Sequence, residues 1–515
     1  MSDHKPAPSS RNGNLTKVFY AMLVGQFLVM LDVQIVAASV EQLRAGLNMT
    51  NDEISWVQTS YLTAEIIAIP LAAHWIGRWG AERVYAVSCL GFVAASAMTA
   101  AAIDLTTLIA GRAIQGFVGG AMLPTVFAFA FSALPTRDRP RNSLLLSLAA
   151  TLAPTLGPAF GGFLTDLAGW RWLFLINIAP GLVSAGLVFA LGRSKQTEKR
   201  SHTRLDRVGF ILLSILLVGC EYIIEEGPSE RWLDSEHIIL TIFICMLIFI
   251  ALIYHLPRAR SPIIDFTALK DRNFALGIIM VFMSGIALLG GTFLLPLFLA
   301  DVLRYTPTQI GLTVFVSGAA MLITGLMIGR HLHKVDPRLP IVGGFAIAAI
   351  GFSTGCQVTA EWSGNDFLVL QLCRGIGVMI AVTVAQTCMM STLNPALVPG
   401  ASSLVFLARN AGGAVGLASV SSLLEQWWAS HFAALSTQLG QAGPAAAAAV
   451  TLLQRKLEAR GQDNSPNIAA ARIYNELVQQ EALIMAYQEC FAVLTVSAAI
   501  AAVAALIMRV QRATQ

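Results

Sequence analysis

The chain has 515 residues, a formal net charge of +4, 56% hydrophobic and only 12% charged residues, and a mean hydropathy of +0.67. An ordinary soluble domain carries about 25% charged residues, so a water-soluble core does not account for this much apolar length. The positive charge is spread over short gaps between apolar stretches, where anionic lipid rather than nucleic acid is the nearest partner.

A helix needs roughly 20 apolar residues to cross about 30 Å of hydrocarbon. Fourteen stretches meet that length: Val18–Ala38, Ile54–His74, Val84–Ala102, Thr106–Ala133, Ser143–Thr165, Gly169–Gly192, Gly209–Glu226, His237–Leu256, Ala275–Ala300, Gln309–Gly329, Leu339–Thr359, Asp366–Met389, Gly400–Gln426 and Ile484–Met508. With the amino terminus inside, 23 of the 34 lysines and arginines fall in inner gaps and tails and 8 in outer ones. Short basic loops resist translocation, so the bias places both termini in the cytoplasm and the protein, multi-pass, in the cell inner membrane. Residues 1–16 read as a disordered cytoplasmic tail with no secretory signal, 17–192 as a first six-helix bundle, and 193–208 as a basic cytoplasmic linker. Residues 209–256 hold two inserted helices, 257–508 a second six-helix bundle, and 509–515 a cytoplasmic tail. Residues 427–483 form a long outer loop in which Pro444 to Arg460 favours a helix. All seven cysteines fall inside spans and imply no disulfide framework.

An internal repeat supports the two-bundle division. Gly77-Arg-Trp-Gly-Ala-Glu-Arg83 follows the second span and Gly329-Arg-His-Leu-His-Lys-Val-Asp-Pro-Arg338 the tenth. Two spans later in each half an arginine stands in a glycine-rich helix, Arg112 in the first and Arg374 in the second. Parallel repeats of this kind suit a transporter whose halves rock about a site near the midplane.

A charge inside a spanning helix costs several kcal/mol and marks function by default. Asp32 and Arg112 each lie six residues from the outer end of their spans, about 9 Å deep at 1.5 Å per residue. The pair are candidate proton-coupling groups, together with Glu65 near the middle of the second span. Gln58, Tyr61 and Glu65 share one helix face and are candidate lining for a substrate cavity, as is Leu28, one turn before Asp32. Gln34, on the other side of the first helix, is expected to bond a neighbouring helix. Glu221, Glu225 and Glu226 run on into Glu230, Asp234 and Glu236, which reads as a solvated outer loop. Arg374 and Arg409 lie deep in their spans with no evident acidic partner.

The fifth span carries Ala153-Pro-Thr-Leu-Gly-Pro-Ala-Phe-Gly-Gly162. Pro154, Gly157, Pro158, Gly161 and Gly162 read as a kinked, closely packed hinge between the halves. Gly157–Gly162, the Arg112-Ala-Ile-Gln-Gly116 run, Leu31-Asp-Val-Gln-Ile-Val36 and Trp170–Asn177 together resemble the major facilitator superfamily. The resemblance is to its EmrB/QacA-like, fourteen-helix drug/proton antiporter branch. Gly77, Arg78, Gly80 and Arg83 resemble the family's gating turn, with Ala73 at its usual glycine and Gly77 at its usual acid. The resemblance implies an all-α polytopic membrane protein of two six-helix bundles plus two inserted helices. It also implies proton-coupled, multidrug efflux by an antiporter that exports hydrophobic and cationic compounds, and hence antibiotic resistance. Drug-like small molecules, protons and the lipid bilayer are the partners so implied, with a periplasmic adaptor and an outer-membrane channel where the cell has two membranes. The alternatives are an exporter of a specific metabolite, such as a fatty acid or siderophore, and a non-transporting scaffold or sensor. The sequence carries no Walker A phosphate loop, no Cys/His metal cluster and no convincing Ser/His/Asp arrangement, so it reads as a secondary active transporter with neither cofactor nor metal and not as an enzyme.

Overall fold

The computed structural model describes residues 8–47, 49, 51–192, 205–227, 230, 232–259, 262–263, 266–328, 336–441, 451–452 and 466–508. Their α-helices are α1 (Pro8–Ala38), α2 (Val40–Leu47), α3 (Asn51–Trp79), α4 (Ala81–Ala100), α5 (Leu105–Ser132), α6 (Arg139–Ala168), α7 (Trp172–Leu175), α8 (Ile178–Leu191), α9 (Arg207–Glu226), α10 (Glu236–His255), α11 (Arg272–Asp301), α12 (Pro307–Ile328), α13 (Arg338–Gly355), α14 (Leu368–Ser391), α15 (Val398–Gln441) and α16 (Pro466–Leu506). There is no strand among the described residues. In hydrocarbon every backbone N–H and C=O must be satisfied within the segment, and an α-helix does this alone.

Twelve helices among the described residues are long and apolar enough to cross a membrane, and twelve of the expected spans fall on them. The second and fifth spans lie on α3 and α6, of 29 and 30 residues, each long enough to cross a bilayer. The sixth span is broken. Four residues of α7 and fourteen of α8 flank a turn at Ile176–Asn177, and Pro180 follows in the first turn of α8, where its missing N–H leaves no helical bond unmade.

Two expectations need correction. Helix α1 begins at Pro8, so residues 8–16 of the expected disordered tail are helical. The long outer loop is largely helix: α15 runs on over 427–441, and α16 begins at Pro466. With 44 and 41 residues, these helices are about twice as long as a bilayer crossing requires. The helix favoured between Pro444 and Arg460 lies outside the described residues, apart from Thr451 and Leu452.

One set of neighbours recurs in the two halves. In the first, α1 packs on α5, α6 and α8, α4 on α5 and α8, and α3 on α5. In the second, α11 packs on α14, α15 and α16, α13 on α14 and α16, and α12 on α14. The close approaches recur as well. A Cβ at Gly157 or Gly161 of α6 would collide with Gln34 or Ile35 of α1, and one at Gly412 or Gly416 of α15 with Phe282 or Ile286 of α11. Small residues four apart let two backbones meet at a distance that side chains would forbid.

The halves touch where α6 meets α12 and α14, and where α15 meets α3 and α5. One apolar cluster spans both halves at the end where α1 begins, with Phe19, Phe127 and Phe131 from the first half and Phe274, Met389 and Phe406 from the second. The Phe127 and Phe406 rings meet edge to face at 5.9 Å. Toward the other end, the cluster around Leu31, Ile35, Leu173 and Phe174 draws on the first half alone. The bundles are therefore sealed together at one end of the membrane.

The inserted helices α9 and α10 pack on each other, and α9 also touches α3 and α15. Only 11% and 17% of the residues in their apolar stretches are buried, against 83% in α5, so both lie at the edge of the bundle. Trp232, just beyond α9, donates from Nε1 to Ser422 Oγ of α15 at 2.8 Å, and His255 Nε2 lies 2.8 Å from Asp206 Oδ1.

Candidate functional site: a buried ion pair and a cavity between the halves

Asp32 of α1 is wholly buried and held from three sides. Arg112 Nη1 of α5 donates to Oδ2 at 2.5 Å, while Gln115 Nε2 and Asn177 Nδ2 donate to Oδ1 at 2.9 and 2.7 Å. Gln115 lies three residues after Arg112 and therefore faces the same way; its Oε1 accepts a second bond from Arg112 Nη1 at 2.9 Å. Ser96 Oγ of α4 accepts from Gln115 at 2.8 Å and from Asn177 at 3.4 Å. Arg112 Nε donates to the Val57 carbonyl at 3.2 Å, and its guanidinium lies 4.2 Å from the centre of the Tyr61 ring. Four helices, and the turn between α7 and α8 that carries Asn177, thus supply one buried network.

The approach of α3 to α5 is as tight as backbones allow. A Cβ at Gly116 would collide with the Tyr61 carbonyl oxygen, and one at Gly120 with that of Glu65. Gly116 and Gly120 thus bring α3 close enough for Tyr61 to cover Arg112.

A separate cavity of about 580 Å³ lies between the halves. Its wall is mostly apolar, with Gln34 from α1, Gln58 and Glu65 from α3, Glu221 from α9, Thr292 from α11, and Arg409, Asn410 and Ser421 from α15. Asn410 Nδ2 donates to Glu65 Oε1 at 3.1 Å across the interface, and Arg409 Nη2 to the Ala150 carbonyl of α6 at 2.8 Å. Ser403 Oγ bonds the Ile69 carbonyl at 2.9 Å, and Ser147 Oγ lies 3.2 Å from Gln386 Oε1. The cavity thus meets polar groups that tie one bundle to the other.

The model for the Major Facilitator Superfamily matches residues 22–417. The chain belongs to that superfamily. It is a multi-pass membrane transporter rather than an enzyme. Over 468 residues it is 32% identical to the colistin resistance protein EmrB of Acinetobacter baumannii, covering 89% of this chain and 90% of that protein. Over 438 residues it is 30% identical to the multidrug export protein EmrB of Haemophilus influenzae, covering 84% of each. The fold is that of the human organic anion transporter MFSD10, with a TM-score of 0.57 at 13% identity over 96% of this chain and 100% of that one.

Within this facilitator fold the residues singled out from sequence separate into distinct places. Asp32 and Arg112 meet directly, and Gln58 and Glu65 line the cavity. Leu28 does not line it; it packs into the apolar cluster at the sealed end. Tyr61 is also absent from the cavity wall. Counting 100° per residue, it stands about 60° around α3 from Gln58, and it lies instead beneath Arg112. Gln34 lines the cavity rather than only bonding a neighbour, and Glu221 belongs to the same wall rather than to a solvated loop.

The gating and hinge residues are also dispersed. Gly77 and Arg78 stand in the last turn of α3, Gly80 alone separates it from α4, and Arg83 stands in the first turn of α4; all four are exposed. Gly80 has φ +86°, a conformation glycine adopts without penalty. Pro154 and Pro158 lie within the unbroken helix α6. Gly157 and Gly161 pack on α1 of their own bundle, while Gly162 has open space around it; α6 meets the second half lower down, at Leu144 and Leu148. Arg374 has no salt bridge among the described residues: Nε donates to Ser317 at 3.3 Å, and Gly291 faces Nη1. Asn177, Gln115, Arg409 and Asn410 join the sites without having been singled out as site residues.

Proposed function

We propose that this transporter is a proton-coupled multidrug efflux antiporter of the inner membrane, exporting hydrophobic and cationic compounds by alternating access. The observation that carries this reading is the spatial separation of two acidic sites. Asp32 and Arg112 are sealed within one bundle, while Glu65 faces a greasy cavity at the seam between bundles. Protonating Asp32 would cancel its charge pair with Arg112 and free the guanidinium to change partners. Such a change alters how α1 and α5 pack, and a ligand or proton shifts an equilibrium only through such differential contacts. With both termini in the cytoplasm, the sealed end faces inward and the cavity belongs to an outward-facing state. The resistance and export functions named for the two EmrB relatives support the drug substrates, and a periplasmic adaptor and outer-membrane channel belong to the same reading.

Transport in proteoliposomes under an imposed pH gradient tests the proposal. Ethidium is expected to accumulate only while the gradient stands; accumulation that ignores the gradient would remove proton coupling. Glu65→Gln retains the oxygen that accepts from Asn410 but removes the charge. Cationic substrates are then expected to lose roughly tenfold in apparent affinity while neutral ones keep theirs, on the scale of one charge pair in a partly wet site. Equal loss for neutral compounds would assign Glu65 to coupling instead.

A further inference from the structure

Two polar atoms beside the buried pair have no partner among the described residues, and they belong to side chains stacked on each other. Arg112 uses Nη1 for Asp32 and Gln115 and Nε for the Val57 carbonyl, which leaves Nη2 buried and unbonded. Tyr61 is wholly buried, with the centre of its ring 4.2 Å from that guanidinium, and its hydroxyl is unbonded too. A buried hydroxyl without a partner costs free energy that phenylalanine, of nearly the same shape, would not incur. The hydroxyl therefore calls for a partner in another arrangement of the same groups.

We propose that Tyr61 is the second partner of Arg112, its hydroxyl accepting from Nη2 once Asp32 takes up a proton. The inference rests on the efflux reading above and names the group to which the freed guanidinium passes.

The placement of Tyr61 suits a link between the two acidic sites. The charged groups near enough to act on its hydroxyl are Asp32 of α1, Arg112 of α5 and Glu65, one turn along its own helix. Helix α4 and the turn before α8 add only Ser96 and Asn177 to this network, neither of which titrates. Gln58, Leu62 and Glu65, its neighbours on α3, line the cavity. At the far end of the ring, a Cβ on Gly119 would stand 3.0 Å from the hydroxyl and 3.2 Å from Val29 Cγ1, and Val29 belongs to the cavity wall. Tyr61 thus reaches from the guanidinium toward the back of that wall. While Asp32 is ionised, it holds Nη1 by a charge-assisted bond that a neutral phenol cannot match. Protonation removes that advantage. A slide of the guanidinium across the ring then gives the two orphan atoms one bond between them, and the bond pulls on α3, which carries Glu65. A proton taken up in the dry site is thereby felt in the cavity with no path of water between the two.

The test uses Tyr61→Phe, which keeps the ring under the guanidinium and removes only the hydroxyl. It is made alone and together with Asp32→Asn, an uncharged stand-in for the protonated carboxyl. Gradient-driven ethidium transport in proteoliposomes is expected to fall about tenfold in Tyr61→Phe, on the scale of one hydrogen bond to a charged group. Thermal unfolding in detergent is expected to show no loss in that variant, since the hydroxyl makes no bond while Asp32 is ionised. In the Asp32→Asn background the same substitution is expected to lower the melting temperature, because there the new bond has formed. Pumping by Tyr61→Phe within about twofold of wild type would overturn the assignment. So would an equal change in melting temperature in both backgrounds, since the hydroxyl would then not respond to the charge on Asp32. If the wild-type protein pumps nothing under any gradient, the efflux reading fails, and the unfolding comparison still decides whether Tyr61 receives Arg112.

Discussion

Asp32→Asn is expected to abolish gradient-driven transport of every substrate while the protein still inserts and folds. The carboxylate is wholly buried and receives Arg112, Gln115 and Asn177. An asparagine fills the same volume and leaves the Arg112 charge without its partner in a dry site. Breaking a buried pair by removing one member typically costs about 3–5 kcal/mol. The variant should therefore melt at a lower temperature than wild type, a loss that alone does not separate a structural role from a coupling role. A second substitution does. With Arg112→Gln added to Asp32→Asn, the network becomes neutral throughout, and much of the lost stability is expected to return. Transport is expected to stay absent, because neither group can exchange a proton for a charge. The check is a double-mutant cycle read twice, once by thermal unfolding in detergent and once by pumping. Recovery of pumping in the double variant would reduce the pair to a structural clamp.

What the sequence disclosed here divides by physical scale. Apolar length shows in composition, because the bilayer imposes it on each segment singly, and the broad course of α1 to α16 follows from it. The repeat was legible from Arg112 and Arg374 in matching contexts, though not what each arginine meets: Asp32 faces the first, whereas Gly291 lies beside the second. Helical spacing placed Gln58, Tyr61 and Glu65 on one face, yet a face about 60° wide can be shared by two neighbours. Here α5 takes Tyr61, and the cavity takes the others. Glu221 was drawn into a loop reading by the acidic residues after it; only the packing of α9 on α3 and α15 turns it inward. Asn177 depended on a break inside an apolar stretch, with Pro180 as its local sign. The extension of α15 and α16 past the membrane was hidden because helix ends in water are set by local propensity, which the apolar length does not report.

Gly120→Ala is expected to have an effect of similar size through packing alone. A methyl group at this position has no room: the Glu65 carbonyl oxygen occupies its place, with the Glu65 carbonyl carbon and Cα both 2.9 Å away. Those atoms are backbone, so they cannot rotate aside as a side chain would, and α3 must move away from α5. Overpacking of this kind costs roughly 1–3 kcal/mol. The functional loss should exceed what that figure suggests, because α3 carries elements of both sites. Moving it shifts Tyr61 from the Arg112 guanidinium and Glu65 from Asn410 together, so cationic and neutral substrates are expected to fall alike, unlike in Glu65→Gln. Gly162→Ala is the matched control. Nothing lies within 4 Å of its added methyl, and alanine favours an α-helix over glycine by about 1 kcal/mol; its pumping should equal wild type. If Gly120→Ala pumps normally while Gly162→Ala fails, close contact between α3 and α5 is not what joins the buried pair to the cavity.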